Sequence, residues 1–170
     1  MRDRVREFSY EEKAELIRMV CPASRVELPK VFRQILFDYL FANGDAHLKN
    51  FSVCESDLGD YVMTPAYDLL NTLLHYPGDL TFMALSLFKD PDFMTPEFEM
   101  LGYYSTADFV ALGRCYGLDE KAVHGILAEY RKNLPQVETM VEQSLLSEDA
   151  KREYLRIFTD RLAMFRCFGE

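Results

Sequence analysis

The sequence predicts a mainly α-helical domain of the α+β class, a helical bundle with one small β-hairpin. Capping residues precede apolar residues at helical spacing in several places, and two short β-prone runs surround a turn-forming segment. The length of 170 residues suits one ordinary domain with a sizeable core. We therefore expect residues 1–170 to form a single domain.

Two helices are predicted before the hairpin. Ser9 and Glu12 have the spacing of a capping box, which predicts a helix over residues 10–20. The next helix is expected to begin near Pro29, because proline is favoured in a first helical turn. Its buried face would consist of apolar residues at helical spacing, namely Leu28, Val31, Phe32, Ile35, Leu36, Tyr39 and Leu40.

The hairpin is predicted between residues 51 and 63. Residues 51–54 and 61–63 are short runs rich in β-branched and aromatic residues. Between them, residues 56–60 read Ser-Asp-Leu-Gly-Asp, which is typical of a turn. Such a hairpin would carry the chain out from the preceding loop and back toward it.

The C-terminal part is predicted to be helical. Ser105 with Asp108 marks the start of one helix, and Asp119 can cap the next. Residues 147–149 would form the acid-rich first turn of the last helix. Pro96 is expected to break regular structure before these helices.

The pattern that points to chemistry lies at residues 43–50, which read Asn-Gly-Asp-Ala-His-Leu-Lys-Asn. Asp45 and Asn50 are five positions apart, the separation between the base aspartate and the metal-binding asparagine in the kinase loop H-R-D-x-x-x-x-N. Asp68 then stands where such enzymes place a second Mg²⁺ ligand. The pattern predicts a phosphoryl-transfer site.

Each residue type has a role in that chemistry. Asp45 would orient the attacking hydroxyl and accept its proton. Asn50 and Asp68 offer the hard oxygen donors that Mg²⁺ prefers, with the phosphates of ATP completing the site. Lys49 would offset charge near the transferred group, and His47 would brace the loop.

The same residues carry a family resemblance. They are Asn43, Asp45, His47, Lys49, Asn50, Phe51 and Ser52, followed by Pro-Ala-Tyr-Asp-Leu-Leu at 65–70 and Met-Ala-Leu-Ser at 83–86. Over about residues 28–88 the chain resembles the C-terminal region of the HipA-like serine/threonine kinases, the toxin halves of bacterial toxin–antitoxin pairs.

The resemblance implies a kinase-like C-terminal lobe with Asp45 as catalytic base. It also implies Asn50 and Asp68 as ligands of Mg²⁺ and its bound ATP, with His47 and Lys49 as supporting residues of the catalytic loop. A protein substrate and a HipB-like helix-turn-helix antitoxin are the implied partners. The absence of His-Arg before Asp45 departs from ordinary protein kinases but suits this family.

The nucleotide-gripping lobe of a kinase is expected to be absent from these residues. Gly44 is the first glycine of the chain, so no glycine-rich phosphate loop can precede the catalytic loop within it. The upstream lysines, Lys13 and Lys30, lie in segments predicted to be helical rather than on a strand. We expect an N-terminal lobe subunit to be supplied elsewhere and the isolated chain to be nearly inert.

Composition and charge exclude several classes of function. The net charge of −9 and pI near 4.9 argue against direct nucleic-acid binding, which needs a basic surface. No apolar run approaches membrane-spanning length, and the first residues are too charged for a signal peptide. The widely spaced Cys21, Cys54, Cys115 and Cys167 read as reduced, mostly buried thiols of a cytoplasmic protein.

Other interpretations stay open at this point. Asn-Gly-Asp is good turn chemistry, so Asp45 could be a turn residue, and Asp68 could cap a helix over residues 69–74. A metal-dependent hydrolase could use Asp45, His47 and Asp68 as ligands. A catalytically silent protein-binding module is the remaining alternative.

Overall fold

The computed structural model describes residues 8–76 and 83–165, which are mainly helical with one two-stranded sheet. The helices are α1 (Tyr10–Val20), α2 (Ser24–Leu40), α3 (Pro96–Leu101), α4 (Thr106–Cys115), α5 (Glu120–Lys132), α6 (Leu134–Glu142) and α7 (Glu148–Ala163). The strands are β1 (Val53–Glu55) and β2 (Tyr61–Met63), which pair antiparallel. The predicted fold class is confirmed.

Helix α1 begins where its capping box predicts. Ser9 Oγ accepts a hydrogen bond from the Glu12 amide at 3.1 Å, and a Glu12 carboxylate oxygen accepts from the Ser9 amide at 2.9 Å. The amides of Tyr10 and Glu11 donate to the carbonyls of Ser86 and Leu87 at 2.9 and 3.0 Å. These bonds satisfy donors that a helix start leaves unpaired, and they fasten the chain after residue 83 to α1.

Helix α2 starts at Ser24, so the expectation that it begins near Pro29 was wrong. Pro29 lies inside the helix and cannot donate to the carbonyl four residues earlier. The helix continues through this defect because its predicted apolar face is buried, with Phe32, Ile35 and Leu36 fully covered. Burial of large side chains at about 1.5–3 kcal/mol each outweighs one lost hydrogen bond.

The hairpin forms as predicted and is tied to α2. Val53 pairs with Met63 and Glu55 with Tyr61. Gly59 adopts a φ of +81° in the turn, a conformation that glycine reaches without strain. The buried Glu27 of α2 accepts a hydrogen bond from the Met63 amide at 3.1 Å, which anchors β2 to the helix.

The predicted caps of the C-terminal helices are confirmed, whereas α3 was missed. Ser105 and Asp119 each accept a hydrogen bond from an amide in the first turn of α4 and α5, respectively. Ser147, expected inside the first turn of α7, instead caps that helix in the same way. Pro96 does not break regular structure but occupies the first position of α3, which Thr95 caps.

A cluster around Tyr39 joins α2 to the C-terminal helices. The Tyr39 ring lies 5.2 Å from the ring of Phe109 and 5.5 Å from that of Phe165, measured between centroids. The fully buried Arg161 of α7 places its guanidinium 4.8 Å from the Tyr39 ring centroid and donates to the Tyr39 carbonyl. A cation therefore satisfies a carbonyl in the last turn of α2 and complements the negative end of its dipole.

Two buried titratable side chains lie on α1 and α2. Lys13 and Asp38 are both nearly inaccessible, and among the described residues neither Lys13 Nζ nor Asp38 Oδ2 has a hydrogen-bond partner. Lys13 Nζ lies 2.9 Å from the centroid of the Phe51 ring. Burial lowers the pKa of Lys13 well below its usual value and raises the pKa of Asp38 to about 6, an increase that the Asn43 hydrogen bond and the Lys13 charge partly offset.

Helix hydrophobicity and cysteine burial bear on two of the sequence predictions. No helix within residues 8–76 and 83–165 is both long and apolar enough to cross a membrane. Cys21 is buried, Cys115 is partly buried and Cys54 is exposed, all as free thiols, so burial holds for only part of the set. Cys167 lies outside the described residues.

Replacing Arg161 with Met should destabilise the fold by about 2 kcal/mol, because a charge-assisted hydrogen bond to a buried carbonyl is lost. Urea unfolding measures the loss. Arg156→Met is the matched control on the same helix, since Arg156 is half-exposed and bonds to Glu153 and Asp160, which are nearby in sequence. Equal effects of the two substitutions would contradict this role for Arg161.

The raised pKa of Asp38 should make stability depend on pH. The folded state holds this proton more tightly than the unfolded state, so the contribution is fully present below about pH 3.8 and is lost as pH rises through about 6. The loss is on the order of 3 kcal/mol at most. Asp38→Asn keeps an oxygen that can accept from Asn43 and should remove this slope, as unfolding free energies between pH 4 and pH 7.5 would show. Parallel curves for the two proteins would contradict it.

Candidate active site

The loop between α2 and β1 is held from several sides. After α2 ends, Ala42 adopts a left-handed φ of +58° and turns the chain. The buried Ala46 accepts a hydrogen bond at its carbonyl from the Tyr10 hydroxyl of α1, at 3.2 Å. The amide of Asn50 donates to the His47 carbonyl at 3.0 Å, at the start of a single 3₁₀ turn over Leu48–Asn50. Contacts from other parts of the chain, and not only the turn-forming residues Asn-Gly-Asp, therefore define the shape of the loop.

Asn50 joins two segments that are far apart in sequence. Its side chain is buried, and Nδ2 donates to the Asp45 carbonyl at 2.8 Å and to Asp68 Oδ2 at 2.9 Å. The two residues expected to bind Mg²⁺ therefore touch each other, and the backbone of the expected base lies against them. Asn50 thus links the Asp45 backbone to the Asp68 carboxylate, whereas the roles of base and Mg²⁺ ligands stay predictions.

The Asp45 carboxylate faces solvent beside two basic side chains. Its side chain is 45% exposed, with Oδ1 3.4 Å from His47 Nε2 and Oδ2 3.7 Å from Lys49 Nζ. At this exposure both pairs are weak, so the carboxylate stays accessible to an incoming hydroxyl. The His47 amide donates to the Asp45 carbonyl at 2.7 Å, a backbone bond that leaves the predicted role of its side chain a prediction.

Asp68 is exposed and lies in a conformation unusual for a residue with a side chain. Its φ is +55°, in the left-handed region. The neighbouring Tyr67 donates from its hydroxyl to the Lys49 carbonyl at 2.9 Å, which ties this segment to the loop. Asp68 caps no helix over residues 69–74, because the short 3₁₀ turn there begins at Thr72 and is capped by Asn71.

Two polar residues that the sequence analysis did not single out for a role also link the loop to the Asp68 segment. Asn43 donates to the Asp68 carbonyl at 3.0 Å, and Thr72 donates to the Ala42 carbonyl at the same distance. Asn43 is the first residue of the motif at residues 43–50, but its position in that motif did not indicate a chemical role. Thr72 has no signal in a single sequence, because nothing local distinguishes it from any loop threonine.

The donor set suits Mg²⁺ better than a metal held by protein alone. As predicted ligands, Asn50 would supply one amide oxygen and Asp68 one carboxylate, the hard donors that Mg²⁺ binds together with phosphates and water. In the part of the chain that the structure describes, no group of three or more His, Cys, Asp and Glu side chains is placed to hold a metal ion. The three-ligand centre that a hydrolase would build from Asp45, His47 and Asp68 is thus not formed.

The two upstream lysines are occupied within the helical fold. Lys13 is buried in α1 against Phe51, and Lys30 on α2 pairs with Glu27 at 2.8 Å. Both lie in helices, as predicted, and neither lies on a strand, where a kinase carries the lysine that grips ATP phosphates.

Comparison with known proteins agrees with the motif. Residues 2–138 match the model of the HipA-like C-terminal domain. A Haemophilus influenzae protein named "Putative kinase" is 27% identical over 169 residues, which cover 95% of this chain and 49% of that protein. Two Sinorhizobium fredii proteins, "Putative kinase Y4dM" and "Putative kinase Y4mE", are 38% identical over 58 residues and 35% identical over 81 residues.

The matched regions differ in how much of each protein they include. The two Sinorhizobium fredii matches cover 34% and 48% of this chain but only 14% and 19% of those proteins. The chain thus spans about half the length of the Haemophilus influenzae relative and less of the other two. With the family model matching well over half of its residues, and its loop geometry suited to the family motif, this chain belongs to the HipA-like C-terminal domain family.

Proposed function

We propose that this chain is the catalytic lobe of a HipA-like serine/threonine protein kinase, which transfers the γ-phosphoryl group of ATP to a hydroxyl of a protein substrate. The observation that carries the proposal is the Asn50 side chain, which contacts both the Asp45 backbone and the Asp68 carboxylate. This contact brings a potential base and two potential Mg²⁺ ligands to one place. Family membership supports a kinase-like enzyme.

Asp45 is the base in this mechanism. As the substrate hydroxyl oxygen bonds to the γ-phosphorus and the bond to the β-phosphate oxygen breaks, the hydroxyl proton passes to the Asp45 carboxylate and ADP leaves. The half-exposed position of this side chain allows a protein hydroxyl to reach it. Lys49, 3.7 Å from Asp45, supplies positive charge near the oxygens of the transferred group.

Asn50 and Asp68 are the residues that would hold Mg²⁺ with its nucleotide. Mg²⁺ held there would supply positive charge to offset the negative charge that develops during transfer. The buried amide of Asn50 orients the Asp68 carboxylate through its 2.9 Å hydrogen bond before any nucleotide arrives. Such preorganisation reduces the rearrangement needed when substrates bind.

The phosphate-gripping part of the nucleotide site is supplied by polypeptide outside these residues. Within the 170 residues no glycine precedes Gly44, and the lysines upstream of it are engaged by Phe51 and Glu27. Nucleotide affinity therefore depends on an N-terminal lobe, whether from a separate subunit or from additional sequence. A HipB-like antitoxin as a further partner stays a prediction from the family resemblance.

Asp45→Asn should reduce phosphoryl transfer by about 10²- to 10⁴-fold without unfolding the domain, because it removes only the proton acceptor. Transfer from γ-labelled ATP is measured with the chain mixed with the protein encoded next to it. Asp57→Asn, an exposed turn residue of the hairpin, is the matched control and should retain activity. Unchanged transfer in the Asp45 variant would favour a silent binding module.

Calorimetric titration with ATP·Mg²⁺ tests the division of the nucleotide site. The chain alone should bind weakly, and the mixture with the neighbouring protein should bind more tightly, because the phosphates then have their full set of ligands. Asp68→Asn should weaken nucleotide binding by the mixture. The substitution should not strain the backbone, because asparagine tolerates the left-handed conformation as aspartate does. Tight binding by the chain alone would contradict the proposed division.

A further inference from the structure

Two residues with side chains adopt left-handed backbone conformations, and both border the candidate site. Among the residues that the structure describes, Ala42 (φ +58°) and Asp68 (φ +55°) are the non-glycine positions with positive φ. This conformation is unfavourable for residues that carry a Cβ, so it persists only where neighbouring groups enforce it. The contacts that enforce it here identify residues with a defined task.

Each strained residue has its carbonyl held by a side chain from the other segment. Asn43, next to Ala42, donates from Nδ2 to the Asp68 carbonyl at 3.0 Å. Thr72, four residues after Asp68, donates to the Ala42 carbonyl from both its hydroxyl and its amide, each at 3.0 Å. Thr72 Oγ1 also accepts from the Gly44 amide at 2.9 Å. We name this reciprocal pair, Asn43 and Thr72, the loop clip.

The Asn43 half of the clip is anchored to the core. Its side chain is only 3% exposed, and Nδ2 also donates to Asp38 Oδ1 at 2.9 Å. The Asn43 amide donates to the Asp38 carbonyl at 2.7 Å, near the end of α2. On the opposite side, Asn43 Oδ1 accepts from the Asp45 amide at 3.3 Å. One buried side chain thus contacts α2, the Asp45 backbone and the Asp68 backbone.

The hairpin between the two segments is too slight to set their spacing. Each strand has three residues, and most of them are exposed or partly exposed. A two-stranded hairpin of this kind is only marginally stable by itself. The separation between Asp45 and Asp68 therefore depends on bonds that cross directly from the loop to the Asp68 segment.

We propose that Asn43 and Thr72 are positioning residues, which hold the Asp68 carboxylate in register with the Asp45 loop. The assignment rests on the proposed phosphoryl transfer for its catalytic consequence. Neither residue needs to contact substrate, because the clip acts on backbone carbonyls and amides next to Asp45 and Asp68. Loss of the clip would move one Mg²⁺ ligand relative to the other and to the base.

The test compares Thr72→Val, which is nearly isosteric but lacks the hydroxyl, with Thr72→Ser, which keeps it. Thr106→Val is the matched control, because the hydroxyl of Thr106, on helix α4, likewise donates to a backbone carbonyl, that of Phe165, at 2.8 Å. Asn43→Leu removes the other half of the clip. Hydrogen exchange of the Gly44 amide and the Mg²⁺ dependence of phosphoryl transfer are measured for the wild type and each variant. Each is mixed with the protein encoded next to the chain.

Thr72→Val should speed exchange of the Gly44 amide by about tenfold, because the acceptor of that amide is removed. It should raise the Mg²⁺ concentration for half-maximal transfer by a similar factor, because the hydroxyl's bond to the Ala42 carbonyl is lost as well. Thr72→Ser should restore both values, and Thr106→Val should leave both unchanged. Asn43→Leu should raise the Mg²⁺ requirement in the same way.

Wild-type values in Thr72→Val, or equal changes in Thr106→Val, would overturn the clip. Failure of the proposed function looks different: wild-type protein would transfer no phosphate in any mixture. The exchange of the Gly44 amide in the variants would then decide by itself whether the clip holds the loop.

Discussion

Burial of helix α2 is the constraint on which the rest of the structure depends. Its inner face, with Phe32, Ile35 and Leu36 fully covered, packs against α1 and α7 at the density of a protein interior. The carbonyl of Tyr39 near its end is held by Arg161. The loop at residues 43–50 leaves this helix directly, so the position of Asp45 follows from the packing of the core.

Polar contacts within the site then fix the loop that follows α2 relative to Asp68. The hairpin connects the loop to the Asp68 segment but adds little rigidity, because its short strands are largely exposed. Asn50 and Asn43 each bond to both the loop and Asp68, one at the carboxylate and the other at the carbonyl. Amide side chains suit this task, since each has donors and an acceptor that can satisfy several partners at once, and both amides are buried next to the half-exposed Asp45 and the exposed Asp68.

Prediction succeeded where the determining signal is local. The capping pairs at Ser9 and Ser105 marked helix starts because a side chain that satisfies a first-turn amide acts within three residues. It failed at Pro29 and Pro96, where the same residue type lies inside one helix and begins another. The difference is set by burial and by the preceding Thr95 cap, and burial cannot be read from the proline itself.

The sequence by itself determined the family motif, the fold class and the identity of the residues that could carry phosphoryl transfer, because these depend on residue type and spacing. Only the tertiary structure decided that Asn50 touches Asp68, that Asp68 is left-handed, and that Thr72 holds the loop. These contacts join residues 18 to 28 positions apart. Which residues meet over such distances depends on how the whole chain packs. No periodic sequence pattern encodes these contacts.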